Sequence, residues 1–240
     1  MGAKRCAATA KAGKARPYQQ NLGRAKRDRV LRNFVAIDTS NDYLTVLACK
    51  DGKFAYSHLP DCAMRHSVTL MNEVDKVLNE LSLSLDDCEF FAASVGAGSF
   101  TGIRIGISAV KGFCAALGKP SLPITSFEIA AYTTLECAEK TLCLIDALHG
   151  AYYACGFDEH RAVVYPPSYI EEAEVLVLQK QGYSLRALKT VELDGCTVVD
   201  PVAGLKNAVL AKAERGEFGE LEAVYVRKSS AEINLERGSL

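Results

Sequence analysis

A glycine-rich stretch decides the fold, because it joins a short apolar run to a long one: Gly96-Ala97-Gly98-Ser99-Phe100-Thr101-Gly102-Ile103-Arg104-Ile105-Gly106. The run before it, Phe90 to Val95, has the length and apolar character of a buried strand. After it, apolar side chains recur at helical spacing from Phe100 to Leu117. The pattern therefore predicts a strand, a glycine loop and a helix in succession.

The chain around this unit alternates short strands and helices. Upstream, three apolar runs joined by turn residues predict a β-meander: residues 34–40, 43–49 and 54–59. A helix is predicted over residues 66–81, where apolar side chains form a broad stripe. Downstream, residues 120–125 predict a strand and residues 127–135 a helix. The order βββαβαβα closes one lobe.

A second, smaller lobe is expected to follow. Its first two strands, residues 141–146 and 151–157, are separated by a turn at His149-Gly150. Weaker patterns predict helices over 175–181 and 202–213, a strand over 197–199 and a short extended segment over 224–227. The predicted domains are residues 34–139 and 140–240. No internal repeat is visible in the residues themselves.

Residues 1–33 differ in composition from the rest of the chain. Residues 1–32 hold ten Lys or Arg and one acid, Asp28, so this arm carries +9 and the body −10. With almost no branched apolar residues, the arm is expected to be disordered. Three interpretations are open: an RNA-touching arm, an organelle transit sequence, or sequence outside the natural protein, which would then start near Val30 or Leu31. Peptides from residues 2–29 in a digest of the native protein would contradict the last interpretation, which we favour.

Several protein classes are disfavoured by the sequence. No apolar run reaches the roughly 20 residues of a spanning helix, so a cytoplasmic protein without a membrane segment is expected. The nine cysteines form no C-x-x-C pair, and burial as free thiols is expected. The four histidines, at positions 58, 66, 149 and 160, include no i, i+4 pair for a metal, and no serine or cysteine sits in a G-x-S-x-G elbow. Because the body is acidic, any tRNA role is expected to be indirect.

The glycine loop and the end of the first strand each allow two interpretations. A loop before a helix N-terminus can hold a phosphate, but this spacing is not a Walker loop, and glycines also permit close packing. The stretch Asp38-Thr39-Ser40 suits a metal-bound phosphate or an ordinary turn in which side chains bond nearby N–H groups. Ser99 is expected to be a helix N-cap rather than a nucleophile.

Arg104 and the two long helices raise a question about the surface. Arg104 suits a solvated or ion-paired position and an interface position equally well. Helices 66–81 and 100–117 carry apolar residues over more than one narrow stripe, so apolar surface should remain after one face has packed on the sheet. A broad core-facing helix explains the same pattern.

Residues 96–106 resemble the signature G-x-G-S-F-T-G-[LIV]-R-[LIV]-G of the TsaB family, also called YeaZ, whose members are paralogues of the TsaD enzymes. Further stretches match the family in order and spacing: Ala36-Ile37-Asp38-Thr39-Ser40, His66-Ser67, Ile145-Asp146-Ala147 and Val224-Tyr225-Val226-Arg227. One departure is visible, since the second signature position, usually Pro, is Ala97. Residues 158–222 match only weakly.

The resemblance implies an α/β fold of the actin, Hsp70 and sugar-kinase type (ASKHA). In this fold two lobes each hold a mixed sheet flanked by helices, and in TsaB proteins the second lobe is reduced. The resemblance implies no catalytic residue, no metal and no cofactor for this chain alone. A vestigial nucleotide site, or one that takes ATP or ADP only in a complex, would fall at Asp38, Thr39, Ser40, Gly98 and Ser99.

The resemblance also implies a function. TsaB proteins are non-catalytic partners in the N6-threonylcarbamoyladenosine modification of the tRNA adenosine beside the anticodon. A TsaD-like catalytic subunit and a TsaE-like ATPase are the implied partners, with a homodimer when the chain is alone. The family's dimer contact would fall on the two long helices, at His66, Ser67, Leu70, Met71, Val74, Leu78, Arg104, Ile107 and Lys111.

Two rival functions are kept. A self-sufficient ASKHA-type ATPase or peptidase would turn over its substrate without a partner. A homodimeric regulatory protein would bind no TsaD.

Overall fold

The computed structural model describes residues 33–134 and 139–227, which belong to one compact unit. The predicted arm lies outside the described residues except for Asn33, as do the last residues of the predicted second domain. The described elements are, in chain order, β1 (Phe34–Asp38), β2 (Leu44–Lys50), β3 (Lys53–Leu59), α1 (His66–Leu81), β4 (Phe90–Gly96), α2 (Phe100–Leu117), β5 (Ser121–Thr125), α3 (Ser126–Ala131), β6 (Thr141–Asp146), β7 (Ala151–Phe157), β8 (Val163–Glu171), α4 (Glu172–Lys180), β9 (Ser184–Ala187), β10 (Cys196–Val198) and α5 (Pro201–Arg215).

The ten strands form two five-stranded sheets that share one topology. The first has the order β3-β2-β1-β4-β5, and the second has the order β10-β9-β6-β7-β8. The central strand β1 pairs antiparallel with β2 and parallel with β4. In the second sheet β6 pairs antiparallel with β7 and parallel with β9. Both sheets are therefore mixed, and the second repeats the first although the residues show no repeat.

The second lobe is the smaller one because it lacks a helix. In the first lobe α1 follows the meander and α2 joins β4 to β5. In the second lobe α4 occupies the place of α1, but β9 runs to β10 through residues 188–195 without a helix. The predicted reduction of this lobe is confirmed, and its cause is the missing counterpart of α2.

Three apolar layers form the core of the described chain, and one of them lies between the lobes. Side chains of β1 alternate between two of these layers. Phe34 and Ala36 pack in the layer between the lobes, and Val35 and Ile37 pack in the layer beneath α1 and α2. The layer between the lobes also takes in α3 and α5, and a third layer lies between the second sheet and α4. Because β1 is buried on both faces, residues 34–37 form a continuous apolar run.

Polar groups fix the junction of α3 and α5. Thr125 and Glu128 form a capping box at the start of α3. The Lys212 ammonium on α5 lies 2.7 Å from the second carboxylate oxygen of Glu128. Because both charges are largely buried, this pair fixes the register of the two helices, although burying it costs desolvation energy.

The main departures from the predicted elements lie in the second lobe. Strands β8 and β9 were not predicted, and α4 begins at Glu172 rather than at residue 175. Strand β8 is an edge strand with Pro166 and Pro167 inside it, which is where a sheet tolerates proline but where the alternating pattern is lost. Helix α3 ends at Ala131, and residues 224–227 form no strand.

Two helical glycines provide a matched test of the packing. A Cβ at Gly204 of α5 would lie 2.1 Å from the backbone oxygen of Ile129, whereas a Cβ at Gly112 of α2 would meet no atom within 4 Å. Gly204→Ala should lower the free energy of unfolding by about 1–3 kcal/mol through overpacking. Gly112→Ala should raise it by about 0.5–1 kcal/mol because alanine is the better helix former. Urea unfolding measures both, and a tolerated Gly204→Ala would contradict the close contact of α3 and α5.

Candidate functional site

The glycine loop packs against the end of β1. A Cβ at Gly98 would lie 2.0 Å from the Ser40 backbone oxygen, and one at Gly102 would lie 2.1 Å from the Thr39 backbone oxygen. At Gly106 a Cβ would come within 2.5 Å of the Thr39 hydroxyl oxygen. Distances below 3.0 Å leave no room for any side chain, so these glycines permit the helix to approach the strand.

Hydrogen bonds close the same contact. The Thr39 hydroxyl donates to the Gly102 carbonyl oxygen at 2.7 Å, and the Ser99 N–H donates to the Ser40 carbonyl oxygen at 2.7 Å. Ser99 is the N-cap of α2, as predicted, because its hydroxyl oxygen accepts from the Gly102 N–H. The Ser99 and Gly102 N–H groups at the start of α2 are thus bonded within the chain.

The Asp38 carboxylate is fully buried and already hydrogen-bonded. One oxygen accepts from the Ser40 N–H at 2.9 Å and from the Ser40 hydroxyl at 2.6 Å, and the other accepts from the Tyr43 hydroxyl at 3.0 Å. The Ser126 hydroxyl donates to the Ser40 hydroxyl and extends the network to α3. Burial, and then the neighbouring Asp38 charge, raise the pKa of Tyr43 well above its ordinary value, so Tyr43 keeps its proton and remains a donor.

The five residues of the predicted nucleotide site are therefore adjacent. Asp38, Thr39 and Ser40 are completely buried, and Gly98 and Ser99 lie directly against them. Their polar groups bond one another, which is the turn and packing arrangement that the sequence allowed as one alternative. A nucleotide site shared with a partner stays a prediction.

A groove of about 550 Å³ lies between α1 and α2 on the outer surface of the first lobe. Its lining is largely apolar: Ser67, Leu70, Met71, Phe100, Thr101, Arg104, Ile105, Ser108 and Ala109. Met71 and Phe100 leave 45% and 40% of their surface exposed. Exposed apolar surface that spans two neighbouring helices typically marks association.

Helix α2 contributes most of this apolar surface. It has the length and hydropathy of a membrane-crossing helix, with a mean hydropathy of 1.3 over its 18 residues, although the sequence predicted no such segment. Only 28% of the helix is buried, in contrast to a core helix of the same composition. Length and composition alone do not distinguish a membrane span from a helix that packs against a partner, and the groove at this helix gives the second explanation a geometric basis.

The structure separates the predicted interface residues into two groups. Ser67, Met71, Arg104 and Lys111 are exposed on the outer side of α1 and α2. Leu70 reaches the groove but is 3% exposed. The others are buried within the chain: His66, Val74, Leu78 and Ile107.

The prediction of direct partner contact therefore needs correction for the buried group. Val74, Leu78 and Ile107 pack in the layer beneath the two helices, because the apolar stripe of each helix is broad and its inner half faces the sheet. The His66 ring nitrogens lie 2.9 Å from the Tyr43 carbonyl oxygen and 3.1 Å from the Ala63 carbonyl oxygen, which fastens the start of α1 to the first sheet. These four residues support the surface from beneath.

Two aromatic residues of the outer surface were missed by sequence reasoning. Phe100 and Tyr225 stack with ring centroids 4.9 Å apart. The Arg104 guanidinium lies 3.7 Å from the Phe100 ring centroid, and its Nε donates to the Tyr225 hydroxyl at 2.9 Å. The signal was present, since Tyr225 belongs to the quoted C-terminal motif, but no local pattern relates residues 121 positions apart.

A second cavity, of about 350 Å³, lies at the junction of the lobes. Among its charged lining residues, Arg215 pairs with Glu217, and Glu128 pairs with Lys212 of α5 outside the lining. The Arg161 guanidinium covers the Tyr132 ring at 4.3 Å from its centroid. These contacts tie the lobes together.

The described residues provide little support for a cysteine nucleophile or a metal site. Burial raises the pKa of the Cys88 and Cys155 thiols to about 12, which keeps both protonated at neutral pH. Within residues 33–134 and 139–227, no three side chains of His, Cys, Asp or Glu come together as a metal-binding group. The predicted absence of a metal stays a prediction.

Comparisons with known proteins identify relatives for most of the chain. The family model described as TsaD, tRNA N6-adenosine threonylcarbamoyltransferase, matches residues 59–231. A tRNA threonylcarbamoyladenosine biosynthesis protein TsaB from Buchnera aphidicola subsp. Schizaphis graminum is 35% identical over 97 residues, which are 40% of this chain and 46% of that protein. The TsaB of Escherichia coli (strain K12) is 30% identical over 121 residues, which are 50% of this chain and 52% of that protein. The chain thus spans about half the length of the curated relatives it matches.

A solved structure agrees over a longer stretch. A protein from Pseudomonas aeruginosa with similarity to peptidase YEAZ superposes with a TM-score of 0.68 at 23% identity, covering 82% of this chain and 100% of that one. At this identity the likeness shows the fold alone. Together with the two mixed sheets, it confirms the predicted two-lobed ASKHA fold.

Two neighbouring acids test the buried network. Asp38→Asn puts an amide against donors that need an acceptor, so we expect the free energy of unfolding to fall by about 2–4 kcal/mol. Asp42→Asn, on a half-exposed side chain that lies 3.4 Å from the Lys189 ammonium, should cost less than about 1 kcal/mol. Equal losses in urea unfolding would show that the Asp38 network does not hold the end of β1.

Proposed function

The chain belongs to the TsaB (YeaZ) family, and we propose that it is a non-catalytic scaffold subunit required for N6-threonylcarbamoyladenosine modification of the tRNA adenosine beside the anticodon. In this role it organises a catalytic subunit of the TsaD type by pairing with it. The observation that carries the proposal is the apolar groove between α1 and α2, with Met71 and Phe100 exposed along it.

The properties of the groove favour a protein over a small molecule. It is open to solvent between α1 and α2, and its lining includes small side chains such as Ser108 and Ala109 beside larger apolar ones. Small side chains let another helix approach closely, and apolar side chains release water when they are covered. A helical partner surface therefore suits the groove.

Similarity between this chain and TsaD proteins supports the choice of partner. The tRNA N6-adenosine threonylcarbamoyltransferase of Chelativorans sp. (strain BNC1) is 38% identical over 76 residues, which are 31% of this chain and 21% of that protein. Two chains with a common fold can present equivalent helices to each other, as in a pseudo-symmetric dimer. Pairing of this chain with a TsaD-like subunit follows that geometry.

The interior of the chain supports a scaffold rather than an enzyme. The Asp38 carboxylate accepts three hydrogen bonds from its own chain, which removes the group best placed to act on a nucleotide. The Cys88 and Cys155 thiols, with pKa values raised to about 12 by burial, are poor nucleophiles. A self-sufficient ATPase or peptidase would need other groups from the described residues, and we do not favour it.

The remaining parts of the proposal concern the assembly. A TsaE-like ATPase would act with the pair, and ATP or ADP would bind in the complex rather than to this chain alone. The body's net charge of −10 suits indirect rather than direct contact with tRNA. The complex would work in the cytoplasm. A homodimer through the same groove would form when the catalytic partner is absent.

A charge placed in the groove tests the docking surface. Met71→Asp should weaken binding of a TsaD-type subunit at least about 100-fold, because an unpaired carboxylate would be buried against apolar side chains. Val177→Asp on α4 is the matched control, since Val177 is an apolar helix residue that is 51% exposed and lies in the other lobe. Isothermal titration calorimetry measures both affinities.

Ile107 is unsuitable for this test because it is 8% exposed in the layer beneath the helices, so an acid there would unfold the lobe. Unchanged affinity of Met71→Asp, with Val177→Asp also unchanged, would remove the groove from the proposed interface.

A further inference from the structure

The quoted C-terminal motif forms a surface strip together with α2 and β8. The strip consists of Phe100, Arg104, Tyr169, Tyr225 and Arg227, and all five side chains are exposed. Arg104 lies against the rings of Phe100 and Tyr225, at 3.7 and 5.8 Å from their centroids. The Arg227 guanidinium lies 4.9 Å from the Tyr169 ring centroid. Each guanidinium is thus held by stacking on aromatic rings.

The segment that carries Tyr225 and Arg227 crosses from one lobe to the other. Its start is anchored in the first lobe, where Leu221 is buried beneath α2 and the Val224 N–H donates to the Val95 carbonyl oxygen at 2.7 Å. Val226 packs in the layer between the lobes. Its end reaches Tyr169 on β8 of the second lobe. Alternate side chains therefore point inward, and Tyr225 and Arg227 face outward.

The strip joins the groove without a break. Phe100 and Arg104 line the groove and also belong to the strip. Tyrosine, phenylalanine and arginine are the residues that dominate the energetics of protein interfaces. A partner seated on α1 and α2 would extend over Tyr225 toward β8.

The charge of the strip indicates what the partner must supply. Helix α2 carries Arg104 and Lys111 and no acidic residue. Among the described residues, neither Arg104 nor Arg227 has a carboxylate within 4.0 Å, and the terminal nitrogens of Arg104 have no hydrogen-bond partner. A guanidinium held in place can bind a carboxylate through two parallel hydrogen bonds, so both arginines are suited to bind acidic side chains of a partner.

We propose that this strip is the specificity-determining part of the docking surface, and that it selects a protein partner whose carboxylates meet Arg104 and Arg227. The proposal rests on the proposed function, since it names the chemistry of the partner at the same surface. A second copy of this chain is the competing occupant of the same groove, and the test below separates the two. The acidic body disfavours RNA as the occupant.

The Tyr225 hydroxyl acts as a positioning group in this account. It accepts from the Arg104 Nε and so fixes the plane in which the guanidinium is presented. Removing the Tyr225 hydroxyl while keeping the ring would leave the Arg104 charge and the ring stacking, but the guanidinium would lose the hydrogen bond that fixes its orientation. Tyr225→Phe therefore separates orientation from charge.

The test compares the affinity of a purified TsaD-type subunit for the full chain and its variants, by isothermal titration calorimetry. Arg104→Glu and Arg227→Glu should each weaken binding about 30- to 100-fold, because a like charge would face the partner's carboxylates. Arg104→Lys should cost about tenfold and Tyr225→Phe about threefold, through lost two-point geometry. Lys180→Glu, an exposed cation on α4, is the control and should change affinity less than twofold.

Salt and folding give two further readouts. Wild-type affinity should fall as salt rises from about 0.05 to 0.5 M, and Arg104→Gln should flatten that dependence, because exposed ion pairs are screened. Circular dichroism melting should give the same midpoint for wild type and the charge variants, since the strip lies on the surface.

These measurements distinguish the strip's role from the proposed function. Unchanged affinity of Arg104→Glu and Arg227→Glu, while Met71→Asp loses binding, overturns the strip but leaves the proposed function standing. If the charge variants lose self-association in sedimentation while their affinity for the TsaD-type subunit is unchanged, the occupant is a second copy of the chain and the proposal is overturned. If the charge variants lose binding to an anticodon stem-loop while their affinity for the TsaD-type subunit is unchanged, the occupant is RNA and the proposal is overturned. Failure of the wild type to bind any TsaD-type subunit removes both the strip's role and the proposed function.

Discussion

The close approach of α2 to the end of β1 is the contact on which the rest of the structure depends. Gly98 and Gly102 leave room for the Ser40 and Thr39 backbone, and Gly106 leaves room for the Thr39 hydroxyl, so a side chain at any of the three would push the helix outward. The helix therefore packs close to the sheet, and Ile103, Ile107 and Val110 are buried on its inner face. Its opposite side is left uncovered, and that side becomes the groove and the strip.

The same contact engages polar groups of the predicted nucleotide site. The Asp38 oxygens accept hydrogen bonds from Ser40 and Tyr43, and the Ser99 N–H donates to the Ser40 carbonyl oxygen. These groups are therefore hydrogen-bonded within the chain. Helix α2 has no counterpart in the described part of the second lobe, where β9 passes to β10 through residues 188–195 without a helix.

The sequence predicted most of the first lobe because its patterns are strong and local. Helices over 66–81 and 100–117 agree with α1 and α2 to the residue, since broad apolar stripes and cap residues such as Ser99 mark them. Strand β8 escaped notice because it lies at a sheet edge and holds two prolines. The duplicated strand order was also invisible, because backbone pairing rather than side-chain identity carries it.

For the candidate site, the sequence indicated the two helices but not which of their residues face outward. Met71 and Ile107 have equivalent apolar character, yet one is 45% and the other 8% exposed. A stripe broader than the buried face cannot show where the sheet ends and the surface begins. The contact of Arg104 with Tyr225 joins distant parts of the chain, and only the folded structure could reveal it.

We propose that this chain is needed for the modification without catalysing it. The most direct test is reconstitution of the reaction from TsaD- and TsaE-type subunits, threonylcarbamoyl-adenylate and tRNA, with modified nucleoside measured by mass spectrometry in the presence and absence of this chain. We expect modified nucleoside only when the chain is added, and none from the chain by itself. Equal modification without the chain, or turnover by the chain alone, would contradict the scaffold role.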